Sequence, residues 1–104
     1  MTERYTYVWE FQVLSGREAE FERHYGTNGT WARLFAQATG YIETLLLKDS
    51  AITGRYLTVD RWADEEAYQA FRSAYSRQYE QLDQQCAKLT TAENLVGEFT
   101  ERVG

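Results

Sequence analysis

The chain has 104 residues, 43% hydrophobic and 26% charged, with 11 Lys+Arg against 16 Asp+Glu and a net charge of −5. That length makes one domain of residues 1–104, with room for a single sheet and two or three helices. The basic residues are too scattered to hold phosphate, which excludes nucleic acid and membrane as partners, and no run approaches the roughly 20 apolar residues of a membrane span.

Tyr5, Tyr7, Trp9, Phe11 and Val13 place bulky groups at every second position, which predicts a first strand over Arg4 to Val13 with a heavily aromatic face. Such a face either builds an ordinary core or lines a cavity for a flat ligand. Ser15 and Glu18 have the spacing of a capping box. A helix then runs to about Tyr25, with Phe21, His24, Tyr25 and Asn28 on one side. Gly26-Thr27-Asn28-Gly29 interrupts it, and Thr30 is expected to cap a second short helix that turns Trp31, Leu34, Phe35 and Ala38 inward until Gly40 ends it.

Tyr41 to Lys48 and Arg55 to Trp62 read as the second and third strands, joined by a loop of hairpin length. Asp64 is placed to cap a long helix whose buried stripe is Tyr68, Phe71, Tyr75, Tyr79, Leu82, Cys86 and Leu89. A bend midway is expected, because Ser73, Ser76 and Tyr79 are only moderate helix formers. Thr90-Thr91 closes the helix, and Asn94 to Val103 reads as a fourth strand.

The order β-α-β-β-α-β predicts an α+β, ferredoxin-like fold: a four-stranded antiparallel sheet with helices on one face. Leu45-Leu46-Leu47 puts leucine on both faces of the second strand, and Leu57 and Val59 face opposite to Tyr56, Thr58 and Trp62. Helices on one side leave the other apolar face in water, which monomers rarely tolerate. The expected remedy is a homodimer packed sheet against sheet. Cys86, the sole cysteine, excludes an internal disulfide, and a reducing, cytoplasmic setting is expected.

Phe11-Gln12-Val13-Leu14-Ser15-Gly16, then Gly40-Tyr41, Tyr56-Leu57-Thr58-Val59-Asp60-Arg61-Trp62 and Glu65-Glu66-Ala67-Tyr68-Gln69-Ala70-Phe71 resemble the antibiotic-biosynthesis-monooxygenase-like domains of the dimeric α+β barrel superfamily. The resemblance covers nearly the whole chain. It implies a pocket between sheet and helices and two sheets closing into a barrel. Haem-degrading members carry an Asn, a Trp and a His where this chain has Trp9, Phe71 and Gln81, so haem degradation is disfavoured unless His24 serves as the axial ligand. Members that oxidise polycyclic phenols without a cofactor end the third strand in Trp, followed six residues later by Tyr. Trp62 and Tyr68 match that pattern, Thr58 stands where the Asn would be, and an Arg of the helix would fall near Leu82 or Arg77.

On these readings the expected function is that of a small monooxygenase-like protein acting on an aromatic or polyketide-like molecule, with no metal and no cofactor. His24 is the expected base, as the one imidazole in the chain, and Tyr68 the expected hydrogen-bond donor. Trp9, Asn28, Trp31, Trp62, Phe71 and Tyr75 are the expected binding surface. Each also has a structural reading, since large aromatics fill small cores efficiently and Glu20 stands four residues before His24, where it can pair with it. The alternative is a non-catalytic dimeric module that binds a small molecule or has its aromatic interior packed shut.

Overall fold

A computed structural model describes residues 2–104. Four strands, β1 (Thr2–Val13), β2 (Tyr41–Lys48), β3 (Arg55–Trp62) and β4 (Thr90–Val103), form one sheet in the order β2-β3-β1-β4. Every neighbouring pair is antiparallel, which is the expected ferredoxin-like arrangement. Helices α1 (Glu18–Tyr25), α2 (Thr30–Phe35), α3 (Glu65–Ala74) and α4 (Ser76–Cys86) supply the other layer.

The register decides what the helices meet. Tyr5 pairs with Trp62, Tyr7 with Asp60, Trp9 with Thr58 and Phe11 with Tyr56. Paired residues of antiparallel strands share a face, so this whole set lies on the helix side. β3 alternates half-buried and buried along its length, with Tyr56, Thr58, Asp60 and Trp62 the buried members. Phe21, Phe35, Phe71, Leu82, Cys86 and Leu89 close over them from the helices and the turn that follows α4.

The chain departs from the expected boundaries at several points, each with a local cause. The Ser15–Glu18 capping box does not form: Gly16 takes φ 85° and turns the chain, and Arg17, not Ser15, precedes α1 without a side-chain cap. Arg17 instead pairs with Glu20. Thr30 opens α2 after Gly29 and does not cap it, and α2 ends at Phe35. By contrast, the Asp64 side chain accepts from the Ala67 amide at 2.8 Å, the cap expected of it. The long helix breaks at Tyr75 (φ −118°, ψ 28°) into α3 and α4. Its three tyrosines Tyr68, Tyr75 and Tyr79 are half-buried, while Phe71, Leu82, Cys86 and Leu89 are fully covered. Thr90 and Thr91 start β4, which runs four residues further back than its alternation indicates.

β4 also carries a bulge. Val8 pairs with Gly97 but Trp9 with Leu95, so Val96 is an extra residue directly beside Trp9. Bulges bend a strand and re-aim the neighbouring side chains. Beyond it the Phe99 ring folds over Gly97, where an added Cβ would stand 2.7 Å from the ring. That puts Phe99, 47% exposed, on the face away from the helices. Leu45, Leu47, Leu57, Val59 and Val8 share this face. Ion pairs from Arg55 to Glu10 and Asp49, and from Arg61 to Glu43 and Glu101, bracket its apolar centre.

Candidate functional site

Between sheet and helices lies a cavity of about 270 Å³. Its floor is the inner face of β1, β2 and β3, where Trp9, Thr44, Thr58 and Asp60 come together. Its walls include Trp31 and Phe35 from α2 and Tyr25 from α1. Exposed Arg72, Asp83 and Glu93 stand around its mouth.

Asp60 is the chemically unusual member. It sits on a central strand between Thr58 and Trp62, only 6% exposed. Its Oδ1 accepts a hydrogen bond of 2.6 Å from the Thr44 hydroxyl. The other oxygen, Oδ2, has no hydrogen-bond partner among the described residues, which leaves it to the cavity. Burial disfavours the charged carboxylate and pushes its pKa up to about 7, against the hydrogen bond from Thr44, which lowers it. A carboxyl group poised near neutrality in a cleft has the properties of an acid–base catalyst.

Among the described residues, Arg72 is the one cationic side chain of the lining. It donates to the Tyr68 hydroxyl at 3.1 Å and lies 3.9 Å over the Tyr79 ring, so two partners hold its guanidinium in place. Tyr7 and Tyr79 have pKa values raised above the ordinary tyrosine value, chiefly by burial, and remain neutral phenols near pH 7. The Trp31 indole N–H is buried and has no hydrogen-bond partner among the described residues.

Of the residues singled out by sequence, Trp9 and Trp31 line the cavity and the other six lie outside its lining. Trp62 is wholly buried and packs against Phe35, Tyr41, Tyr68 and Phe71, while its Nε1 donates to the Tyr7 hydroxyl. Phe71 is 1% exposed within the same cluster. Tyr68 supports Arg72 from outside the lining, and the Tyr75 hydroxyl donates to the Gln37 carbonyl. Asn28 is exposed and offers its backbone carbonyl to Arg33. His24 is buried beneath α2, with Nδ1 2.9 Å from the Thr30 hydroxyl and Nε2 without a partner among the described residues. Burial, with Arg23 next in effect, lowers its pKa, so the imidazole is neutral at pH 7.

Sequence reasoning does not single out Asp60, Thr44 and Arg72. Asp60 has a readable signal, since it shares the inward parity of Tyr56, Thr58 and Trp62. The helix arginine is expected near Arg77 or Leu82, yet Arg72 is the one at the cavity, Leu82 being core and Arg77 exposed.

Among the described residues the lining contains no imidazole or thiol. Among the described residues, no group of three or more His, Cys, Asp or Glu could hold a metal ion, and no helix is long and apolar enough to cross a membrane.

A comparison with curated proteins gives no match. Among solved structures the chain is similar to SnoaB, a cofactor-independent oxygenase from Streptomyces nogalater. Identity is 24%, with 99% of this chain and 97% of that one covered and a TM-score of 0.73. It is also similar to a heme-degrading protein from Mycobacterium tuberculosis, at 20% identity over 100% of this chain and 99% of that one, with a TM-score of 0.63. At such identities these likenesses establish the shared fold. The family model described as antibiotic biosynthesis monooxygenase matches residues 4–81, three quarters of the chain. The chain therefore belongs to the antibiotic biosynthesis monooxygenase family.

Proposed function

We propose that this protein is a small monooxygenase that works without metal or flavin on an aromatic or polyketide-like molecule held between sheet and helices. One observation carries the reading: a buried carboxyl, Asp60, has an unpartnered oxygen at the floor of an aromatic-walled cavity. Trp9 and Trp31 offer flat faces to a ring system, Thr58 supplies a hydroxyl, and Arg72 supplies positive charge at the mouth.

The chemistry divides between protein and substrate. Asp60 takes a proton from an acidic C–H of the substrate, activated by a neighbouring phenol or carbonyl. The resulting carbanion gives one electron to dioxygen, and the two radicals join in a C–O bond. The peroxide regains the proton from Asp60, and loss of water leaves a carbonyl. The sum is CH₂ plus O₂ giving C=O plus H₂O. Arg72 opposes the negative charge that develops in the first step.

The cytoplasm is the proposed setting, and a cofactor-free reaction is supported by the likeness to SnoaB. Haem degradation has less support, because His24 lies away from the cavity and the lining offers no other imidazole. Oxygen uptake by the chelator-treated protein, measured with a panel of polycyclic phenols, tests the reading. We expect one O₂ consumed per carbonyl formed with at least one of them. No uptake with any, alongside saturable binding, would instead identify a non-catalytic binding module.

The apolar outer face of the sheet is proposed to meet a second copy. Sedimentation at micromolar concentration is expected to show a species of twice 12.2 kDa, and Phe99→Glu together with Leu57→Lys is expected to shift it to the monomer. A wild-type chain sedimenting at the monomer mass would overturn the dimer.

A further inference from the structure

Asp60 can act on a ligand only if its carboxyl is held with one oxygen turned to the cavity. Nothing in its own strand does this, and Tyr7, its cross-strand partner, donates no hydrogen bond to it among the described residues. The side chains that hold it come from β2. Thr44 is Asp60's cross-strand partner on the other side and is 2% exposed. Its single hydroxyl proton goes to Asp60 Oδ1 at 2.6 Å. The Tyr41 hydroxyl lies 2.7 Å from the same Thr44 oxygen. When Asp60 is ionised it can only accept, so Thr44 commits its proton to Asp60 and Tyr41 is the donor in that contact. The three groups thus form a chain with one direction, from Tyr41 to Thr44 to Asp60.

A bulge makes this reach possible. The β2–β3 register slips between Tyr41 and Glu43, so Tyr41 pairs with Trp62 while Thr44 pairs with Asp60. The Tyr41 ring rests on Trp62, 5.4 Å between centroids, and its hydroxyl comes back to Thr44.

We propose that Thr44 and Tyr41 are positioning residues for Asp60, a directed pair of hydroxyls that ties down Oδ1, presents Oδ2 to the ligand and favours the carboxylate that must accept a proton. The inference rests on the reading of Asp60 as the proton acceptor. Tyr41 is outside the cavity lining and Thr44 acts through Asp60, so neither is assigned a step in the chemistry. The other titratable or charged groups around the cavity are Tyr7 from β1, Tyr25 from α1, Arg72 from α3, Tyr79 and Asp83 from α4, and Glu93 from β4. None of them hydrogen-bonds Asp60 among the described residues.

The chain has four aspartates. Aspartate labelled with ¹³C at the side-chain carboxyl therefore gives a spectrum simple enough to titrate, with Asp60→Asn identifying the resonance. In ligand-free protein, Thr44→Val is expected to raise the Asp60 midpoint by about one pH unit, since a lost hydrogen bond to the charged form disfavours that form. Thr44→Ser is expected to restore the wild-type midpoint, and Tyr41→Phe to shift it the same way by less. With an oxidisable phenol, the rise of rate with pH is expected to move up in step. A Thr44→Val midpoint equal to that of the wild type overturns the proposal, as does lowered turnover with an unmoved midpoint. If the Val variant fails to fold, an unmoved midpoint in Tyr41→Phe overturns it equally. The titration needs no substrate, so absence of oxygen uptake would sink the proposed reaction and leave this result standing.

Discussion

Asp60→Asn is expected to stop turnover and to make the protein more stable above neutral pH. The first effect follows from removing the proton acceptor, a loss of roughly 10²–10⁴ in rate for a general base. The second follows from the cost of ionising Asp60 in its buried site. Its folded pKa of about 7 exceeds the ordinary value of 3.8, so between these pH values the folded state keeps a proton that the unfolded chain has lost. Stability due to this group is fully present below about pH 4, falls as pH rises, and levels off above about pH 7. The difference is about three units at about 1.4 kcal/mol each, hence a loss of up to about 4 kcal/mol at alkaline pH. The Asn variant has nothing to ionise and escapes that loss. Denaturant unfolding at pH 4 and pH 8.5, at one protein concentration, is expected to show similar stabilities at the lower pH and a more stable variant at the higher. Equal differences at both pH values would show that Asp60 is not a carboxyl held out of water.

A residue that weakens the fold where it works is the kind that sequence pattern passes over. Acidic residues inside strands ordinarily face water, so the alternation of β3 reads most clearly from its aromatic and aliphatic members, and Asp60 passes as one more residue of a family-like segment. Parity alone puts it inward, between Thr58 and Trp62. What the sequence could not show was its cross-strand partner, because Thr44 meets Asp60 only after the slip between Tyr41 and Glu43. The first three strands and the Asp64 cap were legible because each rests on local spacing. His24 stands out as the one imidazole, and it is inward with Phe21 and Tyr25 of its stripe while Asn28 is exposed beyond the helix, yet inward on α1 leads beneath α2 and away from the cavity. The same limit applies to the aromatics. Period and size mark Trp9 and Trp62 alike as inward, and they end in different surroundings because one pairs with Thr58 and the other with Tyr5.

That difference sets the other large effect. Trp62 is 0% exposed, and Phe35, Tyr41, Tyr68 and Phe71 surround it with ring centroids 5.3–5.6 Å away. Trp62→Ala removes the centre of this cluster and leaves the Tyr7 hydroxyl without its indole donor, so a destabilisation of about 3–5 kcal/mol is expected. Trp9 is half-buried beside the bulge, and its nearest ring contact in the structure is Phe11 at 6.4 Å. Its indole borders the cavity, where truncation enlarges an existing space and removes fewer packed neighbours. Trp9→Ala is therefore expected to cost under about 2 kcal/mol, yet to abolish the saturable quenching of Trp fluorescence by flat phenols. Unfolding curves for the two variants, run beside the quenching titration, separate a wall from a keystone. Losses of similar size in both, with no quenching by any phenol in the wild type, would mean that the interior is packed shut and that the aromatic face of β1 is core throughout.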